Sequence, residues 1–396
     1  MQSRYYDCIE QGAHMLDVNT ILNPQLWALR DAFRAQGFDL RLVGGCVRDL
    51  LAGVTPKDVD LHTDATPDEC MKIYDVAGFR WEPTGIQHGT ISVILDHVAF
   101  EITSLRQDVD TDGRHATVAY TRDWLIDLAR RDFTINSMSM SFEDELLDPF
   151  GGAADLEAGV VKFVGNARDR IREDYLRILR WFRFRGRFEK NDNVDTDARC
   201  AVIVLASGLQ RISRERIWSE ISKIISGNNG PALLRSIHEM GVAPYAGLIN
   251  EPDLYVVPMQ EVHKITRNPV TLMVSAYHHM VPIILNEFKA SNQEYDLAKW
   301  LVHERFLTSK SPFFCMAVDN VSRSWAQELA ALRLWDAFDR AVLDTWESPV
   351  FPVTGHDLIK LGIKPGPDYT VILNKLRWLW ADSGYTLTRE QLITLV

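Results

Sequence analysis

VGGCVRD, at residues 43–49, is the stretch that decides the fold of the amino-terminal part of this 396-residue chain. The apolar run before it predicts a strand, and the residues after it predict a helix. Gly44 and Gly45 between the two let the backbone come close to a phosphate, and the start of the helix supplies N–H donors. Arg48, one turn into the helix, can bind two phosphate oxygens at once. A plain tight turn is the alternative interpretation.

A pair of acidic residues follows about ten positions later. Lys57–His62 alternates in polarity and predicts a half-buried strand, on which Asp58 and Asp60 point to the same side. Two like charges so close together are costly unless a divalent cation lies between them. Glu101, on a neighbouring predicted strand, is a candidate third carboxylate. A solvated strand face is the alternative.

A third cluster has the sequence RRDFTIN at residues 130–136. The basic residues Arg130 and Arg131, followed by Asp132 and Asn136, suit contacts to a phosphate and a ribose. Asp132 is also a candidate helix N-cap, and the two roles are compatible.

The fourth cluster, EDYLRILRWFR at residues 173–183, predicts one helix with an apolar arc. Asp174, Arg177, Arg180 and Arg183 wind across its remaining face. Between residues 168 and 187 there are eight arginines and three acidic residues, a local balance of +5. This balance favours a polyanionic partner. A solvated face with an Asp174–Arg177 ion pair is the alternative.

The composition excludes several classes of protein. With 46% hydrophobic and 24% charged residues the chain is ordinary globular material, and its length predicts two to four domains. Five scattered cysteines without a C-x-x-C pair favour reduced thiols over a disulfide framework or a thiolate zinc site. A net charge of −11 counts against a general nucleic-acid coat. No apolar run is long enough to span a membrane, and the first 20 residues resemble no signal or transit peptide, so we expect a soluble protein.

The chain changes character near residue 150. The first 150 residues alternate between helical and strand patterns, and helical periodicity dominates after the DPFGG at residues 148–152. The polar segment Arg106–His115 shows no periodicity and contains three acidic residues and a glycine, which predicts a mobile loop. Arg106, Asp108 and Arg114 lie in it.

Together these clusters resemble the class II tRNA nucleotidyltransferases, the CCA-adding enzymes of the polymerase-β-like superfamily. Later segments resemble the eukaryotic-type members, so the resemblance covers nearly the whole chain. Cys46 departs from the family, which usually has a small residue there. The matching motifs, written as they stand here, are Gly44-Gly45-x-x-Arg48-Asp49, Asp58-x-Asp60, Arg131-Asp132-x-x-x-Asn136, Asp148-Pro149-x-Gly151-Gly152-x-x-Asp155-Leu156 and Glu173-Asp174-x-x-Arg177-x-x-Arg180.

The resemblance implies an α+β fold in four parts. A nucleotidyltransferase head with a mixed sheet and helices spans 1–150, and an all-α neck (151–225), body (226–305) and tail (306–396) follow. The neck carries the helix that selects the nucleotide, and the tail binds tRNA.

The resemblance also implies the roles of the site residues. Asp58 and Asp60 bind Mg²⁺ and, with Glu101, form the catalytic carboxylates. The segment with Arg106, Asp108 and Arg114 is implied to switch specificity from CTP to ATP. The positions implied to bind the nucleotide are Gly44, Gly45, Arg48, Arg131, Asp132, Asn136, Asp174, Arg177, Arg180 and Arg183.

The implied reaction is addition of C, C and A to the 3′ end of tRNA from CTP and ATP. Cytosine and adenine each present an amino donor beside a ring-nitrogen acceptor, whereas uracil and guanine present the reverse. Asp174 only accepts and Arg177 only donates, so this pair matches C and A and rejects U and G.

Three other functions stay open at this stage. They are a bacterial-type poly(A) polymerase, a CC-only or A-only enzyme, and a catalytically inactive tRNA-binding protein. We expect no membrane partner and a cytoplasmic location, with a mitochondrial one as the alternative if a longer precursor exists. The sequence does not determine the oligomeric state.

Overall fold

The computed structural model describes residues 17–111, 116–190, 193–248, 256–307, 310–364 and 366–396. Across these residues, no helix combines the length and the apolarity needed to cross a bilayer. The four cysteines within them, Cys46, Cys70, Cys200 and Cys315, are all free thiols.

Nine strands lie in the described part of the amino-terminal region. They are β1 Leu40–Val43, β2 Leu61–Thr63, β3 Arg80–Gly85, β4 Thr90–Leu95, β5 Val98–Ser104, β6 Arg106–Thr111, β7 Ala116–Tyr120, β8 Ser139–Met140 and β9 Leu146–Leu147.

Helices occur throughout the described residues, and after residue 150 they dominate, as the sequence predicts. They are α1 Pro24–Ala35, α2 Gly45–Leu51, α3 Pro67–Ala77, α4 Trp124–Ala129, α5 Gly152–Ala158, α6 Ala167–Glu173, α7 Arg177–Phe188, α8 Thr196–Leu205, α9 Arg214–Ser226, α10 Gly230–Glu239, α11 Ala243–Ala246, α12 Val256–Ile265, α13 Pro269–Tyr277, α14 Val281–Glu287, α15 Asn292–Leu307, α16 Pro312–Ala317, α17 Arg323–Leu332, α18 Ala337–Thr345, α19 Gly355–Lys360, α20 Pro367–Asp382 and α21 Arg389–Ile393.

Seven of the described strands form one mixed sheet, in the order β3-β4-β5-β2-β1-β8-β9. Strands β2 and β5 run parallel, and the other neighbouring pairs are antiparallel. Strands β6 and β7 pair with each other as a separate hairpin. The predicted mixed-sheet head followed by helices is therefore confirmed.

Three local predictions need correction. The strand predicted over Lys57–His62 is only β2, because Asp58 lies in an exposed bend and ladder pairing with β1 starts at Leu61. Two carboxylates in water cost less than two carboxylates held in a half-buried ladder, so the sheet begins after them.

The predicted loop Arg106–His115 is also wrong over its described residues. Residues 106–111 form β6, and its partner β7 supplies the backbone hydrogen bonds. The local sequence does not reveal this pairing, because charged residues are generally depleted in strands. The partner strand overrides that tendency.

The single helix predicted over residues 173–183 is interrupted. Helix α6 ends at Glu173, Asp174 is extended (φ −150°, ψ 107°), and α7 begins at Arg177. The Asp174 carboxylate accepts a hydrogen bond from the Leu176 N–H at 3.0 Å. An aspartate side chain that binds nearby backbone in this way competes with the helical hydrogen bond.

The described chain divides into two compact units. One runs to Ser213 and includes Met240–Ala246, and the other comprises Arg214–Glu239 and Gly247–Val396. The predicted head and most of the predicted neck fall in the first unit. The finer division into head, neck, body and tail stays a prediction.

Aromatic side chains form much of the core where the head meets α7. The Phe133 ring lies 4.8 Å from that of Phe163 and 5.3 Å from that of Phe184, measured between centroids. Trp181 and Phe182 are fully buried. This core fixes α7 against the segment that carries Phe133, and arginines on α7 pair with Asp49 and Asp132.

Candidate active site

The turn between β1 and α2 forms one wall of the site. Gly44 has φ +75° and ψ −115°, a conformation that L side chains rarely adopt, and its N–H donates to the Met138 carbonyl at 2.9 Å. A Cβ at Gly44 would lie 2.4 Å from Arg131 Nη1. At Gly45 it would lie 3.7 Å from Arg48 Nη2 and 3.9 Å from Asp60 Oδ2. The glycines therefore leave space between two guanidinium groups and a carboxylate.

The two glycines are expected to respond differently to alanine. Gly44→Ala introduces backbone strain of about 1–3 kcal/mol and pushes on Arg131, so both stability and activity fall. Gly45→Ala meets only ordinary contacts and improves helix propensity, so the melting temperature stays level or rises while the affinity for nucleotide falls. Thermal unfolding and the KM for CTP distinguish these outcomes. Equal loss of stability in both variants contradicts this account.

Arg48 is buried, with 6% of its surface exposed, and it connects α2 to the rest of the site. Its Nε and Nη2 donate to Asp49 Oδ1 at 2.9 and 2.8 Å, and Nη1 donates to Asn136 Oδ1. Asp49 in turn accepts from Arg187 of α7 at 2.9 Å. Arg48 therefore borders the glycine turn and also fastens the head to α7.

A second link to α7 passes through Asp132. Its Oδ1 accepts from Asn136 Nδ2 at 3.0 Å, and its Oδ2 accepts from Arg180 Nε at 2.7 Å. Burial by itself raises the pKa of the Asp132 carboxyl, but Arg180 and Asn136 outweigh burial and hold this pKa below its usual range. Asp132 Oδ1 also accepts the Phe133 N–H at 2.9 Å. Asp132 is therefore a buried, charged carboxylate that holds α7 through Arg180.

These links change the interpretation of the arginine-rich segment. Arg180 and Arg187 pair with carboxylates of the head, and Arg170 donates to the Ala129 carbonyl at 3.1 Å. Arg183 stacks over the Phe184 ring at 4.7 Å. Part of the +5 balance thus serves to hold the helices on the head rather than to face a polyanion.

Arg131 sits at the centre of a cluster that the sequence motifs did not reveal. Its Nη1 donates to the Asn136 carbonyl at 3.3 Å, and its Nη2 lies 3.3 Å from His62 Nε2 and 3.6 Å from Asp127 Oδ2. Asp127 belongs to none of the four clusters, and His62 appears in them only as the last residue of the strand predicted over Lys57–His62. Asp127 lies three and four positions before Arg130 and Arg131 on a helical stretch, and that spacing was the available signal.

Two of the three predicted catalytic carboxylates, Asp60 and Glu101, stand just before the first paired residues of β2 and β5, and Asp58 lies in a bend two residues before Asp60. Asp58 and Asp60 are exposed, and the Asp60 carbonyl accepts the Val43 N–H at 3.0 Å, which holds Asp60 beside the end of β1. Cys46 donates its thiol to the Val43 carbonyl at 3.4 Å, and burial raises the pKa of this thiol to about 11, so it stays neutral.

Glu101 is brought near Asp60 by strand register. Leu61 of β2 pairs with Ile102 of β5 in parallel. Asp60 and Glu101 each come one residue before this pair, so they are neighbours across the two strands. Glu101 is exposed while Ile102 is buried, so its side chain points to the open face. No group of three or more His, Cys, Asp or Glu side chains is gathered as a metal site within the described ranges.

Arg177 is held firmly at the start of α7. Its Nη1 donates to Glu173 Oε2 at 2.7 Å and to the Arg170 carbonyl at 3.0 Å, and its Nη2 donates to the Arg130 carbonyl at 3.1 Å. These bonds use three of the five N–H donors of a guanidinium and fix its orientation. Asp174 lies in the break just before α7.

The hairpin of β6 and β7 starts next to the site. The Arg106 N–H lies 3.3 Å from Asp127 Oδ1, with which it bonds, and Arg106 pairs with Tyr120. Asp108 pairs with Val118 across the hairpin. Arg114 lies outside the described residues.

Two family models match this chain. One, described as the poly A polymerase head domain, covers residues 40–162, and the other, a probable RNA and SrmB-binding site of polymerase A, covers residues 193–246. CCA tRNA nucleotidyltransferase 1, mitochondrial, of Mus musculus is 36% identical over 96% of this chain and 91% of its own length. The Homo sapiens protein of the same name is 37% identical with the same coverage. The chain belongs to this family, the CCA tRNA nucleotidyltransferases.

Solved structures show the family fold as well. The crystal structure of the Bacillus stearothermophilus CCA-adding enzyme in complex with CTP matches with a TM-score of 0.77 at 23% identity, covering 94% of this chain and 97% of that one. The Thermotoga maritima CCA-adding enzyme complexed with tRNA matches with a TM-score of 0.66 at 19% identity, covering 95% and 96%. The predicted family membership and fold class are confirmed.

Proposed function

We propose that this chain adds C, C and A to the 3′ end of tRNA from CTP and ATP. The observation that carries the proposal is the grouping of the glycine turn, Asp60 and Arg131 at one end of the sheet, in a chain that matches its CCA-adding relatives over nearly its whole length. In each step the tRNA 3′-oxygen forms a bond to the α-phosphorus of the nucleotide. The bond from that phosphorus to pyrophosphate breaks, and pyrophosphate leaves.

Carboxylate oxygens are the ligands that Mg²⁺ prefers, and Asp58 and Asp60 are the pair that would hold it; within the described residues no third such side chain is gathered with them. Asp58, Asp60 and Glu101 offer hard, solvent-accessible carboxylate oxygens, and the Asp60 carboxylate faces the glycine turn. A Mg²⁺ ion held by these carboxylates would lower the pKa of the attacking hydroxyl and would offset negative charge on the triphosphate. Arg131, beside Gly44, binds the triphosphate, and the space above Gly45 admits it.

Base selection falls to Asp174 and Arg177. Glu173 and two backbone carbonyls fix the Arg177 guanidinium, which supports a preorganised donor for the acceptor nitrogen of C or A. Asp132, Asn136, Arg48, Arg180 and Arg183 support this helix and the nucleotide between it and the sheet.

The activity assay is direct. The protein is incubated with tRNA lacking its 3′ CCA, with CTP, ATP and Mg²⁺, and the 3′ ends are sequenced. Products ending in CCA support the proposal. Long A tails indicate a poly(A) polymerase, products ending in CC or requiring a CC end indicate a partial enzyme, and unchanged tRNA indicates a binding protein.

The β6–β7 hairpin is the proposed switch from CTP to ATP. Replacing residues 109–117 by Asn-Gly joins Asp108 to Val118 through a two-residue turn and keeps their pairing. We expect the two C residues to be added at nearly the normal rate and the terminal A to be strongly suppressed. CCA ends formed at the normal rate contradict the switch role, and loss of C addition shows that the hairpin serves the chemistry itself.

The helical parts after the first unit are proposed to hold tRNA, with residues 226–305 as body and 306–396 as tail. A cytoplasmic location is proposed, and fractionation of cells that express the protein tests it against the mitochondrial location named for the mammalian relatives.

A further inference from the structure

Asp127 is the most enclosed charged side chain next to the active site. Its exposed fraction is 0%, and it lies on α4, outside every motif that the family resemblance marks. Burial alone raises the pKa of this carboxyl, but His62, Arg130 and Arg131 together overcome burial and lower the pKa well below its usual range. This buried carboxylate lies within ion-pair distance of all three basic side chains and therefore fixes their positions relative to one another.

His62 connects Asp127 to Arg131. Its Nδ1 lies 3.2 Å from Asp127 Oδ2, and its Nε2 lies 3.3 Å from Arg131 Nη2. A guanidinium only donates, so Nε2 accepts and the ring proton is assigned to Nδ1. Nδ1 and Asp127 Oδ2 approach closely but are not aligned as a hydrogen bond, so their contact is electrostatic. The order is therefore carboxylate, imidazole, guanidinium, and the last of these packs against Gly44.

The other carboxylate oxygen faces the hairpin and the end of α4. Asp127 Oδ1 accepts from Arg106 N, the first residue of β6, at 3.3 Å. It also accepts from Arg130 Nε and Nη2 at 2.9 and 2.7 Å. The Arg130 carbonyl in turn accepts a hydrogen bond from Arg177. Asp127 therefore contacts the start of the β6–β7 hairpin, Arg131, and the residue that holds Arg177.

We propose that Asp127 is a positioning residue that sets Arg131, through His62, and the base of the β6–β7 hairpin at the same time. This rests on the proposed function. Because both are held by one group, a disturbance at Asp127 alters nucleotide affinity and the choice of ATP for the third addition together. A residue with a merely structural role lowers activity without moving that choice.

The test compares Asp127→Asn with Asp123→Ala in the full chain. The asparagine keeps the size of the side chain but turns an NH₂ group toward donors. Asp123 caps the same helix by accepting from Leu125 N at 2.8 Å, and it reports on loss of helix stability alone. The readouts are melting temperature, equilibrium binding of CTP and ATP, and the rate of A addition relative to C addition.

We expect Asp127→Asn to weaken nucleotide binding about tenfold to a hundredfold, as misplacement of a positioning group does, and to lower the A-to-C ratio. Asp123→Ala should leave both unchanged even where its melting temperature falls. Wild-type binding and ratio in Asp127→Asn overturn the proposal. So does a loss that Asp123→Ala reproduces at equal melting temperature.

His62 supplies a second, independent comparison. His62→Leu removes the acceptor for Arg131 and should weaken CTP binding, whereas His62→Gln keeps a carbonyl acceptor and should restore part of it. Asp127 also lies 3.6 Å from Arg131 directly, so the double variant with Asp127→Asn should lose less CTP affinity than the sum of the two single losses. Fully additive losses overturn the arrangement in which Asp127 acts on Arg131 through His62. Nucleotide binding needs no tRNA, so this arm decides the inference even if the wild-type protein fails to add CCA and the proposed function falls.

Discussion

Asp60→Asn is expected to abolish addition of both C and A while tRNA binding stays near normal. Asp60 is exposed, is fixed beside β1 by its own backbone, and directs a carboxylate toward the glycine turn. Losing one metal-binding carboxylate removes about 4 kcal/mol of transition-state stabilisation, which corresponds to about a thousandfold in rate. Asp58→Asn should behave in the same way. Single-turnover rates with CTP and with ATP measure the effect.

The control for this substitution is Glu82→Gln. Glu82 is an exposed acid on β3 of the same sheet, paired with Arg80 at 2.8 Å, and its loss should leave the rates unchanged. Glu101→Gln tests whether the third carboxylate belongs to the set. Near-wild-type turnover in Asp60→Asn would remove the basis for a metal-assisted reaction at this site.

The second large effect concerns the choice of base. Asp174→Ala or Arg177→Ala should relax selection against UTP and GTP by about tenfold to a hundredfold. The reason is that wrong bases are rejected by leaving a polar partner unpaired, which costs about 1–3 kcal/mol. The measurement is incorporation of UTP and GTP relative to CTP at equal concentrations.

Two further variants sharpen this test. Glu173→Gln weakens the grip on Arg177 and should give a milder form of the same loss of selectivity. Arg172→Ala removes an arginine of the same segment that is half exposed and pairs with Asp169, and it should leave selectivity intact. If Arg177→Ala loses activity but keeps full selectivity, the residue is structural and the donor–acceptor argument does not apply here.

The sequence by itself determined the features whose causes are local. Gly44 needs a backbone conformation that other residues avoid, and it does adopt a positive φ between β1 and α2. The motif order was enough to identify the family, because its residues are spaced by the chemistry that they share. The helical character after residue 150 also followed from periodicity alone.

Only the tertiary structure decided the features that depend on distant partners. Strand β6 exists because β7 pairs with it, although its own residues favour a loop. Arg187 holds Asp49 across 138 positions, so an arginine that reads as part of a nucleic-acid surface joins helix to head instead. Asp127 contacts His62 and Arg106 only because the fold brings these distant residues to it. Burial and long-range pairing set these roles, and neither is a property of a local stretch of sequence.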